Sequence, residues 1–357
     1  MQVAVNYRYH RDPEQFVPMK NKDPNAPSDS HIYSRYTAPN STRFETVLHT
    51  LFGDAGVVTY SSGLASFHAI MTLLPPKRIF IGEGYHGIHR SIKLQHWVTG
   101  VEKLTLEDLD QLGRGDLLHI ETPLNPTGEA RNLEYYVVKA RQAGAYISVD
   151  ATFAPPSLQD PLQYCVDIVM HSGTKVTGSI VGSFEGWLVI QSLRTLYLRV
   201  IRQSQTAEKL VAWLHEETQK PSSLVGKMID KVQHASMQEA ELKDGWLRKQ
   251  MPRGFGPVFS IWTNKEEHAR RLPNRLYIFQ HATSLGGVES LMKWRTMSDE
   301  GRDPRLIQVS CGVEDIEDTK ADILQAFESL LWDFPEAKAS IAYRIDKINV
   351  LDLEIEE

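Results

Sequence analysis

The sequence predicts an α/β fold: a mostly parallel sheet with helices on both faces, followed by a smaller C-terminal α+β domain. Three observations predict it. Between residues 55 and 175, strand-length apolar runs alternate with segments of helical periodicity, the pattern of βαβ units. Several of those runs end in polar residues with chemical potential, and open parallel sheets collect ligands beyond the C-terminal ends of their strands. From residue 194 onward the alternation stops, and one long amphipathic segment precedes a mixture of short strands and a last helix.

Taken in order, residues 1–45 are polar, with Pro and Asn scattered through "KNKDPNAPSDS". They read as an irregular N-terminal arm. "GVVTY" at 56–60 is expected to be a strand ending at Tyr60, after which Ser61, Ser62 and Gly63 open a helix. "RIFIG", "DLLHIE", "AYISVD" and "DIVMHS" supply further strands. "NLEYYVVKARQAG" has helical spacing, with Gly144 as its C-terminal stop. "EGWLVI" at 185–190 fits either a strand or the start of the long helix predicted over 194–219. Residues 255–345 combine the strands "GPVFSIW" and "RLIQVSC" with a final helix over 318–332. The expected division is an arm over 1–45, a large domain over 46–215 and a small domain over 216–357, ending in a solvated acidic tail.

Bulk properties narrow the function. The 357 residues are 41% hydrophobic and 24% charged, as in a globular protein with a large core. Net charge is −6 and no long basic block occurs, so a nucleic-acid partner is not expected, because phosphate neutralisation needs clustered Lys and Arg. Two cysteines, Cys165 and Cys311, form no disulfide framework and no zinc spacing. A reducing, cytoplasmic setting is expected. The opening "MQVAVNYRYH" has no apolar core, so no signal peptide is expected. No apolar run approaches the length of a membrane span.

The chemistry concentrates at strand ends. In "YSSGLASFHAIM" a helix start offers free backbone N–H groups and the positive end of a dipole, and Gly63 lets an anion approach. The plain alternative is an ordinary Ser N-cap. Asp150 closes an apolar strand, where a carboxylate is costly unless paired. It could pair with a protonated pyridine nitrogen and keep that ring an electron sink. Lys175 follows Ser172, Gly173 and Thr174 at the end of the next run. The lysine could hold a carbonyl cofactor while the two hydroxyls hold its phosphate; otherwise the strand simply surfaces in a polar turn. Tyr85, in a glycine-flanked loop, could stack on a planar ring. "ETPLNP" places Glu121, Thr122 and Asn125 in a proline-shaped loop of the kind that carries site residues. Arg35, beside Tyr33 in the arm, could clamp a phosphate. Together, phosphate donors, a pyridine-nitrogen carboxylate and a Schiff-base lysine are what pyridoxal phosphate requires.

These residues resemble the Cys/Met-metabolism family of fold-type I pyridoxal-phosphate enzymes, which includes cystathionine γ-synthase and the cystathionine lyases. The resemblance runs from about residue 30 to 335 through "YSR", "SSGLAS", "ETPLNP", "VDATFAPP", "DIVMHSGTK", "SLGGVES" and "VSCGVED". "VDATFAPP…HSGTK" and "SLMKWRTMSD" look most like a fungal branch. The resemblance implies that Lys175 bonds covalently to pyridoxal 5'-phosphate and moves protons, with Tyr85 on the ring. It implies that Asp150 meets the pyridine nitrogen and that Ser172, Thr174, Gly63 and Leu64 hold the phosphate. Tyr33 and Arg35 would reach the phosphate of a neighbouring subunit, so a homodimer or homotetramer with shared sites is expected. Ser284, with Asn125, Gln308 and Arg295, would face the amino-acid substrate. The activity implied is γ-replacement on an O-activated homoserine with cysteine, or else C–S lysis of cystathionine. A cofactor-binding homologue without catalysis is the remaining alternative.

Three departures bear on that resemblance. Ala151 stands where the family has Asn after the strand aspartate. Gln308, in "LIQVSCG", stands where the family has an arginine that clamps the substrate carboxylate, and a neutral amide is no bidentate cation. Either Arg295, in "KWRTM", takes over, or the substrate is unusual, or catalysis is weak. A family segment between the lysine turn and the long helix is absent, which is expected to leave one sheet face less covered.

Overall fold

The computed structural model describes residues 5–21, 31, 33, 34, 38–176 and 183–333. Five short strands form a wholly parallel sheet: β1 (Arg78–Ile81), β2 (Glu102–Leu104), β3 (Leu117–Glu121), β4 (Tyr146–Asp150) and β5 (Ile168–Met170), in the order β2-β1-β3-β4-β5. Near-continuous runs such as "LLHIE" are buried throughout β3, as a strand covered on both faces requires.

Helices cover both faces. Five helices position the rest: α1 (Pro39–Leu51), α2 (Gly63–Leu73), α3 (His86–Thr99), α4 (Leu133–Ala143) and α5 (Gly173–Val176). Phe67, Ile70 and Met71 of α2 and Ile88 and Ile92 of α3 pack with Ile79, Ile81 and Leu117. On the opposite face Leu133, Val137 and Ala140 of α4 pack with Phe80, Leu118, Ile120, Ile147 and Val149. Side chains alternate across each strand, so one strand feeds both layers. α4 begins where the Asn132 side chain accepts the Tyr135 N–H and stops at Gly144, whose φ of 68° is left-handed.

The second unit is antiparallel. α6 (Ser183–Leu193) and α7 (Leu196–Thr218) lead into β6 (Ile229–Gln233), β7 (Val258–Thr263), β8 (Leu291–Trp294) and β9 (Leu306–Ser310), ordered β6-β7-β9-β8. Phe259, Ile261, Met292, Ile307 and Val309 form one face and pack on α7 and on the last helix, Ile316–Asp333. Ser260, Lys293 and Gln308 fall on the other face by strand alternation.

Three expectations change, and β5 differs from the inner strands in its burial. "GVVTY" forms no strand; residues 55–60 are irregular and half-exposed or exposed, because among the described residues no neighbour pairs with them. The arm does not stay irregular through residue 45, since α1 begins at Pro39, a residue suited to a first helical turn. "EGWLVI" is helical and belongs to α6, separate from the long helix. Only Met170 of β5 is fully buried, because β5 is the edge of its sheet and borders a 360 Å³ cavity lined in part by Phe44, Leu48, Val57, His171 and Leu193.

Candidate active site

A cavity of 160 Å³ opens beyond the C-terminal ends of β3, β4 and β5. Its lining brings together Lys175, Asp150, Ser172, Thr174, Gly63, Leu64, Tyr85 and Asn125, with Ser62, Glu121 and Thr152 between them. Parallel pairing is what gathers them. Glu121 and Asp150 are register partners, as are Asp150 and Met170. The turns that follow those strands therefore open on one side.

The floor is a relay of hydrogen bonds. Asp150 Oδ1 accepts the Thr152 N–H at 3.0 Å and the Thr152 hydroxyl at 2.5 Å. Thr152 Oγ1 in turn accepts the Ser172 N–H at 2.9 Å. The turn after β4 is thereby tied to the turn after β5, and Lys175 follows within α5, where its N–H bonds to the Ser172 carbonyl at 3.0 Å. Burial raises the Asp150 pKa, against the Thr152 hydrogen bonds and Lys175. Burial lowers the Lys175 pKa, against the attraction of Asp150. Desolvation thus pushes both groups toward neutrality, which suits an amine that must act as a nucleophile.

Glu121 closes the opposite side. One carboxyl oxygen accepts the Tyr85 N–H at 2.8 Å and the other the Asn125 N–H at 2.7 Å. Burial first, then Asp150, pushes its pKa up to about 8. Gly84 leaves room for this carboxyl, since a Cβ there would collide with Glu121 Oε2. The loop holding Asn125 contains two cis X-Pro bonds, Thr122–Pro123 and Asn125–Pro126.

The lining suits a phosphorylated, carbonyl-bearing aromatic ring. Asn125 Oδ1 is buried at the cavity with no hydrogen-bond partner, an atom that a bound donor would satisfy. α2 starts at Gly63 with Ser62 as N-cap, pointing its free N–H groups toward the turn that bears Ser172 and Thr174. A Cβ on Gly63 would sit 3.3 Å from Ser172 Cβ, filling the space between the helix start and that turn. Tyr85 packs at 4.8 Å on the His86 ring and lines the wall.

The other expected site residues lie elsewhere. Tyr33 is exposed in the arm, in a bridge with Asn6. Arg35 lies outside the described residues. Ser284 sits on the loop before β8 with φ of 139°, next to Leu285, which packs on the cavity residue Phe153. Arg295 and Gln308 lie off the cavity lining but touch each other, with Arg295 Nη1 donating to Gln308 Oε1 at 2.8 Å. Arg295 is also ion-paired to Asp299. Thr152 carries no sequence signal beyond its place two residues after an aspartate, a common local capping spacing. Among the described residues no group of His, Cys, Asp and Glu is arranged to hold a metal ion, and no helix is long and apolar enough to cross a membrane.

The chain is similar to known proteins along most of its length. The family described as Cys/Met metabolism PLP-dependent enzyme matches residues 15–177 and 175–328. Cystathionine gamma-lyase of Bacillus subtilis (strain 168) is 28% identical over 348 residues, covering 84% of this chain and 89% of that protein. Cystathionine gamma-synthase of Escherichia coli (strain K12) is 28% identical over 351 residues, covering 84% and 88%. The crystal structure of metB from Corynebacterium glutamicum superposes with a TM-score of 0.77 at 25% identity, over 92% of this chain and 91% of that one. A parallel sheet whose strand ends gather a lysine and an aspartate at one cavity, with a family match spanning most of the chain, places the chain in the Cys/Met metabolism family of pyridoxal-phosphate-dependent enzymes.

Proposed function

We propose that the protein catalyses γ-replacement on an O-activated homoserine with cysteine, as a cytoplasmic trans-sulfuration enzyme of the fungal type. The observation that carries this reading is the convergence of Lys175 and the buried Asp150 on one cavity with Ser172, Thr174 and Gly63. Bound pyridoxal phosphate supplies an electron sink for charge developing on the substrate's α-carbon. Ser172, Thr174 and the first turn of α2, with Gly63 and Leu64, hold the phosphate. Asp150, kept in place by Thr152, holds the proton on the ring nitrogen. Tyr85 packs the ring from the side of α3, and Asn125 bonds at its edge. The Lys175 amine would take the α-proton and then a β-proton, letting the γ oxygen substituent leave; cysteine's sulfur then bonds at the γ carbon, its thiol proton going to the departing group, and Lys175 returns protons to the β- and α-carbons. Replacement at the γ position needs both transfers, and among the described residues Lys175 is the one amine on the cavity lining. The arm over residues 1–45, with Tyr33 and Arg35, completes the site of a neighbouring subunit in a homodimer or homotetramer. The large and small domains divide at residue 215 within α7.

A C–S lyase is the second reading, favoured by the number of similar proteins that bear lyase names. Purified protein should show a visible absorbance band that Lys175→Ala removes. O-Acetylhomoserine plus cysteine should then yield cystathionine. Pyruvate or 2-oxobutyrate from cystathionine alone, with no synthesis, would establish the lyase instead. A normal band with no turnover of either kind would leave a cofactor-binding homologue.

A further inference from the structure

We propose that Lys293, acting with the side-chain amide of Gln308, is the seat for the substrate's carboxylate. The inference rests on the reading of the cavity as an amino-acid site. Lys293 on β8 and Gln308 on β9 are register partners. Their side chains therefore stand on one face, with Cβ atoms about 5 Å apart. That face is the one turned away from the small domain's core. It continues through Ser260, the partner of Gln308 on β7, whose hydroxyl donates to the Pro126 carbonyl at 3.0 Å. Pro126 follows the cavity residue Asn125, so the row Ser260, Gln308, Lys293 starts at the cavity's rim.

Arg295 is not available for this task. It is 3% exposed and its charge is balanced by the buried Asp299, whose other oxygen faces His86 Nδ1 at 2.9 Å. What Arg295 does is orient Gln308. A guanidinium only donates, so the amide oxygen must face it, and the two N–H donors on Nε2 turn away. Among the described residues neither Gln308 Nε2 nor Lys293 Nζ has a hydrogen-bond or ion-pair partner. Burial, then Arg295, lowers the Lys293 pKa, with Asp299 opposing. Lys293 is thus a cation with no direct ion pair, since Asp299 is engaged by Arg295, beside two directed donors without an acceptor. A carboxylate satisfies both, with charge from one strand and direction from the next. Two residues then share what the family assigns to one arginine.

The test uses the cofactor-loaded enzyme and follows its absorbance during titration with L-homoserine and with propanolamine, the same skeleton without the carboxylate. The parent should prefer homoserine. Lys293→Met should weaken homoserine by about ten- to a hundredfold, leave propanolamine unchanged and leave the unliganded band intact; Lys293→Arg should restore most of the loss. Gln308→Leu should show a smaller loss of the same kind. Undiminished preference for homoserine in Lys293→Met, or no preference in the parent, overturns the inference while the cofactor-site reading stands. A parent band that responds to neither amine overturns both.

Discussion

Glu121 and Asp150 stand opposite each other at the last positions of β3 and β4, in register and both buried. Two carboxylates so placed cannot both ionise without compensation. The protein resolves them differently. Burial raises the Asp150 pKa too, but the Thr152 hydroxyl and N–H and the Lys175 charge oppose that rise. Glu121 has two backbone N–H groups and is pushed toward the protonated form, by burial first and then by Asp150.

Glu121 should therefore make stability pH-dependent. It keeps its proton up to about pH 8 when folded but loses it near 4.5 when unfolded. Stability from this group is full below the lower value and is lost as pH rises through the higher one. In the cofactor-free protein, melting temperature should fall between about pH 5 and pH 8 more steeply in the parent than in Glu121→Gln. Parallel curves would show that Glu121 ionises normally.

Thr152→Val removes the hydroxyl between Asp150 and the Ser172 N–H but keeps the shape. The unpaired Ser172 N–H should lower stability by about 1–2 kcal/mol, read by urea unfolding. Cofactor should also dissociate faster, because the turns after β4 and β5 lose their tie. Unchanged retention of cofactor would mean that strand pairing alone fixes Asp150.

Gly63→Ala tests the phosphate side. The new methyl would meet Ser172 Cβ at 3.3 Å, tight enough to spread the helix start from the turn. Cofactor affinity should fall about tenfold or more, while the melting temperature of the cofactor-free protein shifts little, as for substitutions that leave the core intact. Equal affinity would move the anion site elsewhere.

Arg295→Leu leaves the buried Asp299 without its guanidinium, facing only His86, which should cost about 3 kcal/mol. Replacing Asp299 with Leu as well should recover much of it. Denaturant unfolding of the two variants reads the difference; additive losses would show that the ion pair is not a coupled unit.

Much of the fold could be read from apolar period. β1, β3, β4 and β5, α4 with its Gly144 stop, and α7 all lie where their patterns put them. The failure at "GVVTY" is instructive, because an extended apolar run becomes a strand only when a neighbour pairs with it, and no residue of that run can announce its neighbour. Asp150, Gly63, Tyr85 and Lys175 are legible because each lies where a strand ends or a helix begins, positions with local marks. Lys293 had none. Its nearness to Gln308 comes from pairing between strands separated by a loop, and that register is a tertiary fact. Likewise Arg295 looked like a free cation until Asp299, four residues on and equally unmarked, was seen against it.

Among the described residues β5 pairs with β4 alone. The lysine turn thus hangs from the outermost rung of its ladder, where local opening needs the least free energy. A small molecule that spans Asp150 and Ser172 would stitch that rung to the next, slowing amide exchange there more than in β3. Departure of the molecule and fraying of the rim would then be two descriptions of one event, and the enzyme's shelf life would follow its vitamin supply.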